Sequence, residues 1–139
     1  MSTWQARPAC STSCSTGSAA ASVRPTAEHF NPLGGVHGGY TATLFDAALG
    51  LAVYSAAEPD AVYVTASLEV TYLRPLDAQA VPLSVEAQLL HRDGRQVMAE
   101  ASLQDCQGRL CARASARFTQ PLDPGAAPRS QTDGESTVE

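Results

Sequence analysis

The sequence predicts an α+β domain in which an antiparallel β-sheet curls around one long apolar helix. One helical run, residues 38–57, carries almost no charge. Four later segments alternate apolar and polar residues with the period of two that half-buried strands show. Turn pairs Asp-Gly at 93–94 and Gln-Gly at 107–108 separate consecutive segments, as in hairpins. A sheet that curls around the helix buries the apolar faces of both.

Length and charge restrict the class of protein. The 139 residues make one domain, and 9 Arg without Lys against 14 acidic residues give a net charge of −5. This balance argues against a nucleic acid or an anionic membrane as partner. No apolar run is long enough to cross a bilayer, and the first 22 residues lack the apolar core of a secretory signal. We therefore expect a cytoplasmic protein.

Composition divides the chain into three parts. Residues 1–22 are small and polar and are predicted to be a disordered tail, with an organellar transit peptide as the alternative. Residues 23–120 form the predicted folded domain, which starts with a short strand at residues 23–30. Residues 121–139 are rich in Pro and Gly and are predicted to be a second disordered tail.

The helical run contains one unusual residue. It follows a Gly- and Pro-rich turn, ends at the Glu-Pro-Asp of residues 58–60, and carries Asp46 as the only formally charged residue between Glu28 and Glu58. Its neighbours are apolar, so the carboxylate is expected to lose hydration, which is costly. A functional role is therefore favoured over a surface position on an amphipathic helix.

The strand segments place apolar residues on one predicted face each. In the first segment, one face carries Val62, Val64, Ala66, Leu68, Val70 and Tyr72, and the other carries Thr65, Ser67, Glu69 and Thr71. The remaining apolar faces are Leu83, Val85, Ala87 and Leu89, then Val97, Ala99, Ala101 and Leu103, then Leu110, Ala112, Ala114, Ala116 and Phe118. The many alanines in the last two let helix and sheet approach closely.

The four cysteines do not have the spacing of a metal site. Zinc ribbons pair two-residue spacings, which are absent from both Cys10–Cys14 and Cys106–Cys111. Without a secretion signal, disulfides are not expected either. We predict free thiols, no metal and no cofactor.

Two motifs carry a family resemblance. Asn31, the His37-Gly38-Gly39 triplet and Asp46 have the order and spacing of the hotdog-fold acyl-CoA thioesterases. The segment from Thr65 to Pro75 resembles the long strand of that family. The resemblance spans residues 30–118 and is closest to the phenylacetate-pathway enzymes and one class of 4-hydroxybenzoyl-CoA thioesterases. It implies the hotdog fold and hydrolysis of an acyl-CoA. Members usually carry more helix and strand before the Asn, so an edge strand is expected to be missing here.

The glycines at the helix start can bind an oxyanion. N–H groups in the first helical turn have no internal partner and lie at the positive end of the helix dipole. Gly38 and Gly39 let a thioester carbonyl approach without a Cβ in the way. The eight residues from Gly38 to Asp46 span about 12 Å of helix axis, too far for both to act on one thioester within one chain. The two groups are therefore expected to come from different subunits. The resemblance likewise implies sites between antiparallel helices of a homodimer or homotetramer.

Roles for the remaining residues come from the resemblance. Asp46 activates a water or attacks the thioester directly, two alternatives that the sequence leaves open. His37 fixes the loop or contacts the thioester, Asn31 orients the water, and Thr65 holds it beside the acid. Simpler alternatives are a helix cap for His37, a turn for Asn31 and an ordinary strand position for Thr65.

The expected function is hydrolysis of an aromatic or medium-chain acyl-CoA. The alternative is a non-catalytic acyl- or aryl-CoA-binding hotdog protein, which the presence of Asp46 disfavours. Hotdog hydratases and dehydratases use an Asp and a His in another order and spacing. Arg74, Arg92 and Arg95 lie at predicted strand ends where a nucleotide could rest, although charged residues there are usually only solvated.

Overall fold

A six-stranded antiparallel sheet and one helix account for most of the structure, a computed structural model that describes residues 11–122. The strands run in the spatial order β1-β2-β4-β5-β6-β3. Their bounds, with the helix, are β1 Ser11–Ser15, β2 Ser18–Val23, α1 Gly38–Ser55, β3 Val64–Tyr72, β4 Leu83–Asp93, β5 Gln96–Gln104 and β6 Leu110–Thr119. The helix lies against the concave face of the sheet. The predicted α+β hotdog fold is confirmed.

One face of α1 packs into the core. Its buried residues recur at helical spacing and are Thr41, Leu44, Phe45, Ala48, Leu49, Ala52 and Val53. The helix ends at Ser55, three residues before Glu58 of the Glu-Pro pair that was predicted to end it. The predicted helix is thus confirmed to within two residues at its end. Within residues 11–122, no helix is long and apolar enough to span a membrane.

The inward faces of β4, β5 and β6 supply much of the rest of the core. Leu83, Val85, Val97 and Leu103 are fully buried, and between them lie buried alanines at 87, 99, 101, 112, 114 and 116. Small side chains at these positions let the sheet approach α1 closely, as the sequence predicted. The apolar alternation of these three strands is confirmed except at two irregularities. A bulge in β4 between Leu89 and His91 leaves Leu90 half exposed. At the start of β6, beside a register shift at Gln104, Leu110 is exposed and Cys111 is buried, the reverse of the prediction.

The predicted N-terminal tail is wrong for residues 11–22. These residues form β1 and most of β2, and β2 pairs with β4 from Ser18 opposite Gln88 to Val23 opposite Leu83. Ala19, Ala21 and Val23 point into the core. The alternation of buried and exposed residues is present, but the segment is mostly Ala and Ser, and this composition was interpreted as a low-complexity tail. These strands supply the edge that was expected to be missing. Residues 1–10 lie outside the described residues.

Two other boundaries differ from the prediction. The strand expected at residues 23–30 ends at Val23, and a single 3-10 turn follows at Ala27–His29. Pro25 lacks the N–H that a continuing strand needs. The second predicted tail, residues 121–139, is described only at 121–122 and stays a prediction.

Strand β3 differs from the predicted strand by one bulge. Its register slips between Thr65, which lies opposite Phe118, and Ser67, which lies opposite Arg117. One extra residue moves every side chain beyond it to the other face. Thr65 therefore shares the helix-facing side with Leu68, and not the outer side with Ser67 as predicted.

The turn between β5 and β6 is organised by a buried acid. Asp105 accepts hydrogen bonds from the backbone N–H groups of Gln107 and Arg109, and its Oδ2 lies 2.8 Å from Nε of Arg109. Burial raises the pKa of this carboxyl, but the N–H groups and the guanidinium outweigh it and lower the pKa below the ordinary value of 3.8.

This lowered pKa makes the turn sensitive to acid. The carboxylate stabilises the fold above pH 3.8, and that contribution is lost as the pH falls below it. We expect Asp105→Asn to melt at a lower temperature than the wild type at pH 7, with a gap that narrows towards pH 3. Melting curves at each pH measure it, and Asp77→Asn, which changes a similar turn-capping carboxylate, is the control. A gap for Asp105→Asn that is constant with pH would contradict the assignment.

Candidate active site

The loop before the helix is held in place by Asn31. Its Oδ1 accepts hydrogen bonds from the N–H groups of Leu33 and Gly35 at 2.9 and 3.1 Å, and its backbone N–H donates to the Gly35 carbonyl. Neighbouring backbone bonds tie Val36 to Leu76. Asn31 therefore stabilises this turn, which is one of the two roles that the sequence analysis offers for it. Its side-chain NH2 group donates no hydrogen bond within residues 11–122 and is the part still able to bind water.

His37 and the two glycines form the helix start. The His37 carbonyl accepts from the N–H groups of Tyr40 and Thr41, whereas its exposed side chain makes no capping bond. Gly38 and Gly39 are the first two helical residues and are exposed. Neither N–H has an acceptor among the described residues, as expected for a first turn. The site can thus accept an oxyanion from solvent.

Asp46 lies two turns further along the helix, beside β3. Its Oδ1 accepts a hydrogen bond from Oγ1 of Thr65 at 2.9 Å. The carboxylate is exposed in the single chain, so the expectation that it must lose hydration is wrong at this level. The reason is helical geometry: Phe45 and Leu49 point into the core, whereas Asp46 lies about 100° around the helix from Phe45, on the exposed side of α1 next to Thr65.

The predicted site residues thus form two groups in one chain. Asn31, His37, Gly38 and Gly39 lie at the helix start, and Asp46 and Thr65 lie together near its middle. About 12 Å of helix axis separates the groups. Within one chain they do not form a single reaction centre.

A cleft of about 350 Å³ opens at the helix start. It is lined by Val36, Gly38, Thr41, Tyr72, Leu73, Arg74, Pro75 and Leu76. The hydroxyl of Tyr72 donates a hydrogen bond to the Gly38 carbonyl, a contact that the sequence analysis did not predict. The sequence indicates only that Tyr72 lies near the end of the strand segment that carries the family resemblance, close to Arg74.

A larger groove of about 440 Å³ lies on the outer face of the sheet. Glu100 is bonded there to Gln88 and lies 3.6 Å from Arg113, and none of the predicted site residues line it. The cleft at the helix start is the better candidate because it contains the free N–H of Gly38.

Cysteines and metal ligands contribute nothing to this site. Cys14, Cys106 and Cys111 are free thiols, as predicted, and Cys10 lies outside the described residues. Burial raises the pKa of the Cys111 thiol. No group of three His, Cys, Asp or Glu in the described part of the chain could hold a metal ion.

Solved structures share this fold. A conserved protein of Pseudomonas aeruginosa is 27% identical, with a TM-score of 0.72 over 81% of this chain and 88% of that one. A hypothetical thioesterase of Streptococcus pneumoniae, solved with coenzyme A, is 22% identical, with a TM-score of 0.72 over 81% of this chain and 85% of that one. A Streptococcus mutans protein bound to acetyl-CoA is 18% identical, with a TM-score of 0.73 over 87% and 95%.

Sequence comparison identifies the family. No curated protein is significantly similar in sequence to this chain. The model of the Thioesterase superfamily matches residues 33–112, which include the helix start, Asp46, Thr65 and Tyr72. This match covers more than half of the 139 residues, and the fold agrees with it. The chain belongs to the Thioesterase superfamily.

Proposed function

We propose that this protein is an acyl-CoA thioesterase that hydrolyses its substrate to a free acid and coenzyme A. The observation that carries the proposal is the hydrogen bond from Thr65 of β3 to Asp46 of α1, a helix whose first two N–H groups are free. Superfamily membership supports thioester chemistry. Structural neighbours solved with coenzyme A or acetyl-CoA support an acyl-CoA as the thioester.

The helix start binds the thioester carbonyl in this mechanism. The N–H groups of Gly38 and Gly39 donate to the carbonyl oxygen and stabilise the negative charge that develops on it. The absence of a Cβ at either position allows the close approach. The exposed imidazole of His37, which is not used to cap the helix, is available to contact the thioester. The NH2 group of Asn31 is available to a water molecule.

Asp46 supplies the base or the nucleophile. As a general base it takes a proton from the water that attacks the carbonyl carbon, and the thiolate of coenzyme A leaves. As a nucleophile it attacks the carbonyl carbon and expels the thiolate of coenzyme A to form a mixed anhydride, which water then hydrolyses to the free acid and the Asp46 carboxylate. Thr65 donates to one carboxylate oxygen and leaves the other free, which suits either role.

A complete site needs two chains in this proposal. Asp46 of one subunit and Gly38 of another meet if two α1 helices pack antiparallel, so that each dimer has two equivalent sites. The exposed face of α1 is suited to such packing because small residues flank Asp46, among them Thr43, Ala47 and Gly50. A homodimer is the smallest such assembly, and a homotetramer contains two.

The acyl group lies in the apolar part of the cleft. Val36, Leu73 and Leu76 line the cleft with apolar side chains, which suits an aromatic or medium-chain acyl group, and Arg74 is the charged residue of the lining. The resemblance to the phenylacetate-pathway enzymes favours the aromatic class. An acyl-CoA substrate supports the cytoplasm as the location of the protein in this proposal.

A panel of acyl-CoAs tests this function. Purified protein is incubated with phenylacetyl-, 4-hydroxybenzoyl-, hexanoyl- and acetyl-CoA, and the released thiol is measured. We expect catalytic turnover with at least one of the first three. Saturable binding of an acyl-CoA without thiol release would instead identify the non-catalytic binding protein that is the alternative.

Thr65 is expected to affect turnover more than binding. We predict that Thr65→Val lowers kcat about tenfold to a hundredfold with little change in KM, the scale of one lost hydrogen bond to a charged group. The bond to Asp46 then acts in the transition state, which lowers kcat and kcat/KM together. Steady-state kinetics measure it. Thr71→Val, on the same strand but opposite Arg113, is the control and should retain wild-type rates. A change in KM alone would make Thr65 a substrate contact.

A further inference from the structure

We propose that Tyr72 is a positioning residue for the oxyanion-binding N–H groups and acts through the peptide between Gly38 and Gly39. The inference deepens the proposed function and rests on it. Tyr72 is the last residue of β3, and its hydroxyl donates a hydrogen bond to the Gly38 carbonyl at the first turn of α1. This side-chain hydrogen bond joins the end of β3 to the start of α1.

The bond acts on the neighbouring amide. The carbonyl of Gly38 and the N–H of Gly39 belong to one planar peptide unit, so a group that holds the oxygen also holds the direction of the N–H. A carbonyl that accepts a hydrogen bond polarises its peptide, which makes the N–H on the other side a stronger donor. Tyr72 thus both aims and strengthens the Gly39 N–H, one of the two donors that face the thioester.

Packing fixes the tyrosine against the same glycine. A Cβ placed on Gly38 would lie 3.1 Å from Oη and 3.2 Å from Cζ of Tyr72, which are tight contacts. The ring also lines the cleft at the helix start, although it is 53% exposed. The absence of a side chain at Gly38 therefore serves the tyrosine as well as the approaching carbonyl.

Strand β3 then contributes to both groups of site residues. Thr65, near the beginning of the strand, contacts Asp46. Tyr72, at the end of the strand and about 23 Å from Thr65 along it, contacts Gly38. With sites shared between subunits, one strand serves the acid of one site and the oxyanion donors of the other.

The test compares two tyrosines that lose the same atom. Tyr72→Phe removes the hydroxyl but keeps the ring over Gly38. Tyr54→Phe is the matched control, because Tyr54 is 47% exposed and its hydroxyl also bonds backbone, the N–H and carbonyl of Tyr63. We expect Tyr72→Phe to lower kcat about 5- to 30-fold with KM within about twofold, less than the loss of a whole oxyanion donor. Tyr54→Phe should keep the wild-type kcat.

A second readout in the free protein does not depend on activity. In protein labelled with 15N-glycine, the Gly39 amide signal should move in Tyr72→Phe and stay in place in Tyr54→Phe. If wild-type protein releases thiol but Tyr72→Phe has an equal kcat or an unmoved Gly39 signal, the inference is overturned and the proposed function stands. Wild-type protein that releases no thiol from any acyl-CoA overturns the proposed function and the inference with it.

Discussion

Replacing Asp46 by Asn should lower kcat for thioester hydrolysis by about 10²- to 10⁴-fold, the range for loss of a general base. Asn has the same shape and keeps an oxygen that can accept the Thr65 hydrogen bond. It lacks the negative charge that takes a proton from water or attacks the carbonyl. Because Asp46 is exposed in the single chain, the folded subunit should tolerate the change within about 0.5 kcal/mol. Thiol release and melting curves measure the two effects.

The control for this variant is an acid remote from the helix. Asp60→Asn changes an exposed carboxylate in the loop after α1 and should leave turnover unchanged. Turnover near the wild-type value in Asp46→Asn would show that Asp46 is not the catalytic acid. Single turnover in 18O-labelled water tests the nucleophilic role: label in the Asp46 side chain identifies it as a nucleophile whose anhydride is opened by water at the aspartyl carbonyl.

Periodicity made most of the fold predictable. The apolar face of α1 repeats at helical spacing, and β4, β5 and β6 alternate over most of their length, so most of their contacts follow from the pattern. Strands β1 and β2 were missed because β1 consists of Ser, Thr and Cys and the inward residues of β2 are mostly Ala. A stretch of Ala and Ser has little apolar contrast, and only the free edge of β4 gives it a partner.

The site was predictable as a motif but not in its details. A bulge is one extra residue without a fixed sequence signal here, so the helix-facing position of Thr65 could not be derived from alternation. The exposure of Asp46 depends on which face of α1 meets the sheet, which the uniformly apolar sequence obscures. The bond from Tyr72 to Gly38 joins residues 34 apart in the chain and needs the sheet to be closed around the helix.

Gly38→Pro should lower kcat about 10²- to 10³-fold, the range for loss of one oxyanion donor. Proline is well tolerated at the first position of a helix, and the backbone of His37, with φ −56° and ψ 132°, suits a residue before proline. The Cβ of the proline also comes within 3.1 Å of the Tyr72 hydroxyl, so the tyrosine must shift slightly. The change removes the Gly38 N–H and fills the space that the thioester carbonyl needs. Steady-state kinetics and a melting curve measure it. Leu33→Pro places a proline at an exposed position in the preceding loop and serves as a comparison for the effect of a proline near the site. It removes an N–H that is hydrogen-bonded to Asn31, so we expect it to lower the melting temperature.

Mixing two inactive chains tests the shared site most directly. Asp46→Ala and Gly38→Pro proteins are combined in equal amounts, allowed to exchange subunits, and assayed for thiol release. In a mixed dimer one site has both defects and the other has neither, so random exchange should restore about a quarter of the wild-type activity. Each variant alone should stay inactive under the same treatment. A mixture that exchanges subunits and still releases no more thiol than its components would contradict a site built from Asp46 of one chain and Gly38 of the other.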